Sequence, residues 1–226
     1  MEFKNEHLTR QLDIIPMEAL SKSITVIGTG AVGSLLILAL AKMGYTKIVA
    51  YDDDVVSVEN MNSQFYRFSD IGKPKVEALM RLVHDFTGVE IVIHKGRYTG
   101  GKLTTDIVIL AVDNMATRKL LWDQHAGQTV NVKFIIDPRM GAESALLYVM
   151  NPMDATDRES YSKSLYTDES AVHERCTEKA TMYTACLLSG LVAKAVKDVT
   201  TTKAYLRTAQ WNIKDNQLLC WNKEVA

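Results

Sequence analysis

The stretch "ITVIGTGAVGSL", residues 24–35, decides the fold of this chain. A largely apolar run is followed by Gly28, Gly30 and Gly33, which have the G-x-G-x-x-G spacing of a dinucleotide-binding turn. Such a turn joins a buried parallel strand to a helix, and the free N–H groups of that helix suit a phosphate. The alternative is a tight turn that only packs helix against strand, so residues further along the chain must decide between the two.

Alternating strands and helices follow this turn. The predicted strands lie at 47–54, 89–94, 105–114 and 133–137, and the predicted helices at about 31–43, from about 74, and at about 115–125. Apolar strands separated by helices are typical of a parallel, doubly wound sheet. Beyond it, the pattern predicts an antiparallel strand at 144–152, a long helix at about 181–198 and two strands within 204–222. We therefore expect an α/β fold with a Rossmann-like, mostly parallel sheet and antiparallel C-terminal strands.

The composition is that of an ordinary globular protein. The 226 residues are 47% hydrophobic and 23% charged, with a formal net charge of −1. A chain of this length can bury one sizeable core, and we expect a single domain over residues 1–226. A polar segment without periodicity, at about 153–180, predicts a long mobile loop in that domain. The balanced charge gives no sign of a nucleic-acid or membrane partner.

The cysteines and the N-terminus favour a cytoplasmic protein. An odd number of widely spaced cysteines without a C-x-x-C pair fits a reducing compartment and excludes a zinc site made of cysteine pairs. The first 16 residues lack the apolar core of a signal peptide, and the apolar runs are too short to span a membrane. Cys186 lies in an apolar helix and Cys220 in a late strand, and both are predicted to be packing residues.

Polar residues follow the predicted strands where a parallel sheet binds its ligands, beyond the carboxyl ends of the strands. Asp52 stands 19 residues after Gly33, the usual offset for a carboxylate that binds a ribose hydroxyl. Asp113 could hold a metal ion or cap the next helix. Arg139 follows another strand and either faces the substrate or lies on the surface.

Lys75 stands in the first turn of a helix, where the helix dipole disfavours a cation. It is either a solvated residue or a cation that faces a polyphosphate. Taken with a metal-binding acid at position 113, the second reading indicates phosphate chemistry rather than hydride transfer, and ATP rather than NAD or FAD.

These residues fall in a series of motifs that resembles the ThiF/MoeB-type adenylyltransferases of the ubiquitin-activating-enzyme superfamily. The motifs are "TRQL" (9–12), "VIGTGAVGS" (26–34), "YDDDVVSVENMNSQF" (51–65), "DIGKPKVEAL" (70–79), "VDNMATRKLL" (112–121) and "RCTEKA" (175–180). They cover nearly the whole chain in the family's order. The resemblance implies the fold expected above, with ATP and Mg²⁺ as ligands.

The resemblance also implies roles for individual residues. Those implied to line the nucleotide site are Gly28, Gly30, Gly33, Asp52, Asn60, Gln64, Lys75, Asp113 and Asn114. Asp113 would position Mg²⁺, and Arg10 would reach across a homodimer to the phosphates of the partner subunit. Cys176 would be the nucleophile that takes the activated acyl group.

The sequence departs from the family at two places. Ser63 stands where the family's Asn-x-x-Arg-Gln element has its arginine, so a phosphate-facing cation is lost, and Arg67 is a candidate to replace it. The zinc-binding cysteine pairs of many bacterial relatives are absent too, as they are in several branches of the family.

The function implied is ATP-dependent adenylation of a carboxylate, namely the C-terminus of a small ubiquitin-like or sulfur-carrier protein supplied as another chain. Thioester formation on Cys176 would follow. One alternative is adenylation of a peptide, a small acid or a tRNA-borne carboxylate with no cysteine step. A weakened nucleotide-binding scaffold and an NAD- or FAD-dependent oxidoreductase are the others.

Overall fold

Eight strands form one sheet in the order β3-β2-β1-β4-β5-β6-β7-β8 in a computed structural model that describes residues 5–128, 131–166, 180–202 and 204–222. The strands are β1 (Ile24–Ile27), β2 (Ile48–Asp52), β3 (Val92–Lys95), β4 (Ile107–Leu110), β5 (Phe134–Met140), β6 (Ser144–Met150), β7 (Leu206–Asn212) and β8 (Gln217–Asn222). Strands β1 to β5 pair in parallel, and the pairs β5–β6, β6–β7 and β7–β8 are antiparallel. The predicted fold class is confirmed.

Helices cover both faces of the sheet. They are α1 (Met17–Leu20), α2 (Ala31–Lys42), α3 (Lys75–Thr87), α4 (Met115–His125), α5 (Ala155–Ser162) and α6 (Met182–Thr201). Short 3₁₀ helices occupy Asn5–Gln11, Val58–Asn60 and Phe68–Asp70. In the part of the chain described, no helix combines the length and the apolar character needed to cross a bilayer.

Two hydrophobic clusters explain this layering. One contains side chains of α2, α3 and α6, such as Leu36, Leu79 and Val192, together with one face of the strands. The other contains side chains of α4 and α5, such as Trp122 and Tyr161. Because β1 and β4 are buried on both faces, they read as continuous apolar runs rather than alternating ones.

The predicted loop at 153–180 is only partly a loop. Helix α5 occupies Ala155–Ser162 within it, and the Asp154 side chain caps this helix by accepting hydrogen bonds from the N–H groups of Thr156 and Asp157. The sequence pattern missed the helix because its buried face is polar, carrying Asp157 and Tyr161. Residues 167–179 lie outside the described part of the chain.

The prediction that Cys186 and Cys220 are packing residues is wrong, because both side chains are exposed. Cys186 lies on α6 with the exposed side chains of Met182, Tyr183 and Leu187, which share one helix face at the 1-2-5-6 spacing. This helix carries more apolar residues than the face against the sheet can bury. Cys220 is on β8, the edge strand, beside the exposed Leu219.

Candidate active site

The glycine turn brings the ends of β1 and β4 together. Gly28 has a φ of 93°, and a Cβ atom there would lie 2.3 Å from the carbonyl oxygen of Ala111. A Cβ on Gly33 would lie 2.1 Å from the carbonyl oxygen of Gly28. Glycine is therefore required at both positions by the protein itself. A Cβ on Gly30, in contrast, would meet no atom within 4 Å, so that the amino end of α2 opens onto free space.

This opening lies where the strand order changes direction. Strand β1 pairs with β2 on one side and with β4 on the other. Ligands of open α/β sheets bind at such a switch point, beyond the carboxyl ends of the strands. The free N–H groups at the start of α2 point into the same region, which suits an anion.

Asp52 at the end of β2 is anchored to the glycine turn. Its Oδ2 atom accepts hydrogen bonds from the N–H of Thr29 at 2.6 Å and from the Thr29 hydroxyl at 2.9 Å, and its Oδ1 atom accepts from the N–H of Asp54 at 2.9 Å. A carboxylate has about four acceptor positions, so about one remains for a ligand hydroxyl. The ribose role predicted for Asp52 fits this arrangement.

Tyr66 ties the loop after β2 to the same turn. Its hydroxyl donates to the carbonyl oxygen of Thr29 at 2.7 Å, and the N–H of the neighbouring Phe65 donates to the Ser34 hydroxyl at 3.0 Å. Burial raises the pKa of Tyr66 above its ordinary value, and the carboxylate of Asp52 adds to that effect, so the hydroxyl keeps its proton. No local sequence pattern predicts this contact, because the partners lie 37 residues apart.

Lys75 is buried and paired rather than solvated. Its side chain is 8% exposed, and its Nζ atom lies 2.7 Å from Asp54 Oδ2. The N–H of Lys75 donates to the carbonyl oxygen of Asp54 as well, which places the start of α3 against the end of β2. The solvated interpretation of Lys75 is therefore wrong. A cation is held two residues beyond Asp52, where a ligand could exchange for Asp54.

Three consecutive carboxylates extend this edge of the sheet. Oxygen atoms of Asp52, Asp53 and Asp54 lie within 4.8 Å of one another. Asp53 pairs with Arg97, whose Nε atom is 3.3 Å from Asp53 Oδ2. Arg97 follows β3, and the sequence motifs did not single it out. Each of the three acids thus has its own partner within the protein.

Asp113 follows β4 at the same end of the sheet, and Asn114 is the residue that caps α4. The Asn114 Oδ1 atom accepts from the N–H of Thr117 at 2.9 Å, and its Nδ2 atom donates to Asp113 Oδ1 at 3.2 Å. The alternative in which Asp113 caps the helix is therefore wrong. Asn114 is occupied by the cap and by Asp113, whereas the exposed Asp113 carboxylate keeps acceptor positions for a cation.

Asn60 and Gln64 lie in the loop after β2. Asn60 belongs to a capping box of the short helix Val58–Asn60, in which its Oδ1 atom accepts from the N–H of Ser57 at 2.9 Å. The Oε1 atom of Gln64 is buried and has no hydrogen-bond partner. Gln64 thus keeps an unused acceptor, while the acceptor of Asn60 is already engaged.

Arg67 does not replace the arginine that is missing at position 63. Its guanidinium pairs with Asp85 at 2.7 Å. Asp85 is ten residues beyond Lys75 on α3, about 15 Å along the helix. Ser63 itself is buried. The expectation that Arg67 supplies the lost cation is not met in this structure.

Arg10 lies at the far end of α2 from the glycine turn. The neighbouring Gln11 donates to the carbonyl oxygen of Met43, which follows α2, and Leu8 packs beside Gly44. Helix α2 is about 18 Å long, so Arg10 is remote from the site of its own chain. Cys176, the predicted nucleophile, is outside the described residues.

Arg139 is neither a surface residue nor open to a substrate. Its side chain is 13% exposed, and its Nε atom lies 2.8 Å from Asp137 Oδ2. Its other nitrogens donate to the carbonyl oxygen and hydroxyl of Ser164, just beyond α5. Both sequence interpretations of this arginine are therefore wrong.

A cleft of about 380 Å³ opens at the amino edge of the sheet instead. It is lined by residues such as Leu8, Gly44, Thr46 and Gly88 and contains none of the predicted site residues. The carboxyl ends of α2 and α3 border it, and their dipoles repel anions. The candidate site is therefore the open edge at the glycine turn.

Together these features define a Rossmann-like domain in which a glycine turn, the carboxylate of Asp52 and the buried Lys75 lie at one edge of the sheet. The model of the ThiF family matches residues 9–222, and the chain belongs to this family.

Curated relatives match a smaller part of the chain. Ubiquitin-like modifier-activating enzyme 5 of Caenorhabditis elegans is 34% identical over 43% of this chain and 27% of its own length. The SAMP-activating enzyme E1 of Haloferax volcanii is 33% identical over 46% of this chain and 41% of its own length. The chain thus spans less than half the length of these relatives.

Solved structures match the whole fold. PaaA has a TM-score of 0.75 and 16% identity, with 98% of this chain and 83% of that chain covered. E. coli MccB with ATP has a TM-score of 0.72 and 14% identity, with 98% and 72% covered. At this level of identity the likeness concerns the fold alone.

Proposed function

We propose that this protein is an ATP-dependent adenylating enzyme that activates the C-terminal carboxylate of a small ubiquitin-like or sulfur-carrier protein. The observation that carries the proposal is Lys75, a buried cation held by Asp54 two residues beyond the ribose-type carboxylate Asp52. A cation in this position suits the charge that develops on the phosphates of ATP during adenylation. The naming of curated relatives as modifier-activating enzymes supports the choice of carrier.

The residues present fit ATP and Mg²⁺. Gly30 leaves open space over the amino end of α2, which suits the phosphates, and Asp52 keeps an acceptor for the ribose. Lys75 would leave Asp54 for the phosphates. Asp113 would hold Mg²⁺, which when bound neutralises phosphate charge.

In the proposed reaction, a carboxylate oxygen of the carrier attacks the α-phosphorus of ATP. The bond from the α-phosphorus to the bridging oxygen breaks, and pyrophosphate leaves with that electron pair. Lys75 stabilises the charge on the phosphate oxygens, and the glycine turn holds the nucleotide in position. Arg10 of a partner subunit would add a second cation, which makes the enzyme a homodimer.

A thioester on Cys176 is the second proposed step. The thiolate attacks the acyl carbon, the bond to the AMP oxygen breaks, and AMP leaves. In the sequence, Arg175 directly precedes this cysteine and His173 stands three residues before it, and such cations would favour the thiolate. The odd number of widely spaced cysteines supports a cytoplasmic location for this chemistry, because it fits a reducing compartment.

Exchange of labelled pyrophosphate into ATP tests the first step. We expect exchange that depends on an added ubiquitin-like carrier ending in Gly-Gly, and none with a carrier lacking those glycines. Exchange with a peptide or a small acid alone would indicate the alternative substrate class. Tight ATP binding without exchange would indicate the scaffold, and binding of NAD in preference to ATP would contradict adenylation altogether.

The cysteine step is tested separately with Cys176→Ala. This variant should keep carrier-dependent exchange, while a hydroxylamine-sensitive adduct of the carrier disappears. Cys186→Ala is the matched control, because Cys186 is exposed on α6 and should leave the adduct intact. An adduct that survives Cys176→Ala would contradict the assigned nucleophile.

A further inference from the structure

A buried ionic network lies beside Asp113 and is not used in the reaction described above. Asp137 on β5 is completely buried. Its carboxylate accepts hydrogen bonds from Arg118 Nε at 2.8 Å, Arg139 Nε at 2.8 Å and the Tyr161 hydroxyl at 2.9 Å. Burial raises the pKa of Tyr161 above its ordinary value, and the neighbouring Asp137 adds to this, so its hydroxyl remains a donor.

Arg118 connects this network to the end of β4. Besides its bond to Asp137, the guanidinium donates through Nη2 to the carbonyl oxygen of Val112, the residue directly before Asp113. Asn114 holds the other side of Asp113, through its cap on α4 and its bond to the carboxylate. The backbone that carries Asp113 is therefore held from both sides.

The network carries a net positive charge in the interior of the protein. Two guanidiniums share one carboxylate, so one positive charge remains, and the rings of Tyr148 and Tyr161 face Arg139 at 4.8 and 5.7 Å. Burial of such ions costs desolvation energy, and apolar replacements of buried ion pairs are often as stable. The arrangement does provide a rigid fork that binds two acceptors, Asp137 and Val112, at once.

We propose that Arg118, oriented by Asp137, is a positioning residue that holds the Val112–Asp113 backbone so that the Asp113 carboxylate is directed at the Mg²⁺–nucleotide complex. The inference rests on the proposed function. Arg139 and Tyr161 act one step further out, by orienting Asp137. Partners that orient a metal-binding carboxylate contribute about 10–100-fold to metal affinity.

The test is the Mg²⁺ dependence of nucleotide binding, measured by calorimetry with an ATP analogue that has a methylene group between the α and β phosphorus atoms. Arg118→Lys keeps the charge but cannot reach both acceptors as a fork. We expect the half-saturating Mg²⁺ concentration to rise at least about tenfold. Binding of the analogue without Mg²⁺ should change much less.

Arg207→Lys is the matched control. Arg207 pairs with the buried Asp157 on α5, with Arg207 Nε 2.7 Å from Asp157 Oδ1, and this ion pair includes neither Asp137 nor Val112. Both variants should lower the melting temperature, but only Arg118→Lys should change the Mg²⁺ dependence. An equal loss of stability with no change in Mg²⁺ dependence would show a structural role and overturn the inference.

A second variant and the wild type complete the test. Arg139→Lys, at the edge of the network, should raise the half-saturating Mg²⁺ concentration by a smaller factor than Arg118→Lys. This variant keeps the test possible if Arg118→Lys does not fold. Wild-type protein that binds the analogue with Mg²⁺ but exchanges no pyrophosphate with any carboxylate would contradict the proposed reaction alone. If the wild type exchanges pyrophosphate but binds the analogue equally well with and without Mg²⁺, only the inference is contradicted. If its binding does not depend on Mg²⁺ and it exchanges no pyrophosphate, the inference and the proposed reaction are both contradicted.

Discussion

At the scale of single residues, some side chains of the candidate site keep free hydrogen-bond acceptor positions, and others are already hydrogen-bonded within the protein. Asp52, Gln64 and Asp113 keep acceptors that a ligand can use. Asn114 caps α4, and Arg97 pairs with Asp53 at the end of β2, whereas position 63 holds a serine. The proposed role of Lys75, the stabilisation of phosphate charge, can be tested directly.

We predict that Lys75→Met lowers pyrophosphate exchange by about 10²–10³-fold, the usual effect of removing one stabilising group from a phosphoryl or acyl transition state. The free energy of unfolding should change by less than about 1 kcal/mol, because methionine keeps the apolar stem and the partner Asp54 is 62% exposed. Exchange rates and urea unfolding measure the two effects. Lys73→Met is the control, since Lys73 pairs with Asp70 instead. Equal losses in both variants would argue against the role of Lys75.

At the scale of elements, the strand–turn–helix unit sets the site and a carboxylate at the opposite edge holds the strands together. Gly28 and Gly33 allow backbone segments to pack closely, whereas Gly30 faces open space at the amino end of α2. At the amino edge, Asp106 before β4 accepts from the N–H and hydroxyl of Ser23 before β1, and from Lys133 before β5. Each unit supports one prediction.

The glycine turn should separate folding from binding. Gly28→Ala would place a Cβ 2.3 Å from the Ala111 carbonyl oxygen at a positive φ, and we expect a loss of at least about 2 kcal/mol in the free energy of unfolding. Gly30→Ala should unfold within about 0.5 kcal/mol of wild type. It should nevertheless bind ATP at least about tenfold more weakly, because the glycine permits close approach of the phosphates. Calorimetry measures the ATP affinity, and urea unfolding measures the free energy of unfolding. Unchanged ATP binding by Gly30→Ala would contradict the placement of the phosphates at the glycine turn.

The hydrogen bonds from Ser23 and Lys133 to the Asp106 carboxylate predict a pH dependence of the free energy of unfolding. Partial burial by itself raises the pKa of Asp106, but hydrogen bonds from Lys133 and Ser23 outweigh it and lower the pKa from 3.8 to about 2. A carboxyl whose pKa is lower in the folded state stabilises the protein at pH values above its unfolded pKa, and that contribution is lost as the pH falls from about 4 to about 2.

Asp106→Asn should therefore unfold more readily than wild type at pH 7, and the difference should narrow as the pH falls below about 4. Urea unfolding between pH 7 and pH 3 measures it. Asp85→Asn, at an exposed ion pair with Arg67, is the control and should show a small effect at neutral pH. A difference for Asp106→Asn that stays constant down to pH 3 would contradict this explanation.

At the scale of the whole molecule, Arg10 is remote from the candidate site of its own chain. It lies beside the carboxyl end of α2, and the site lies at the amino end of the same helix. If this arginine acts on ATP, it must act in the site of a second copy. A symmetric dimer would place one Arg10 at each site.

Mixing two inactive variants tests this arrangement. Arg10→Ala and Lys75→Met, mixed in equal amounts and allowed to exchange subunits, should recover about a quarter of wild-type exchange, because half of the dimers are mixed and each has one intact site. Arg10 acting within its own chain would give no recovery. Sedimentation equilibrium confirms the dimer, and Glu6→Ala, on the same short helix, is the control.

The sequence by itself determined the parallel sheet, the glycine turn and the antiparallel end, because strand alternation and glycine spacing are local patterns. It also placed Asp52 and Asp113 at the ends of two strands and Lys75 in the first turn of a helix. Only the tertiary structure decided that Arg67 pairs with Asp85, that Cys186 is exposed, and that α5 is a helix whose buried face is polar. Asp137 and Arg118 are 19 residues apart and meet only when β5 lies beside β4. Contacts of that kind depend on which elements pack together, and no local period of the sequence encodes them.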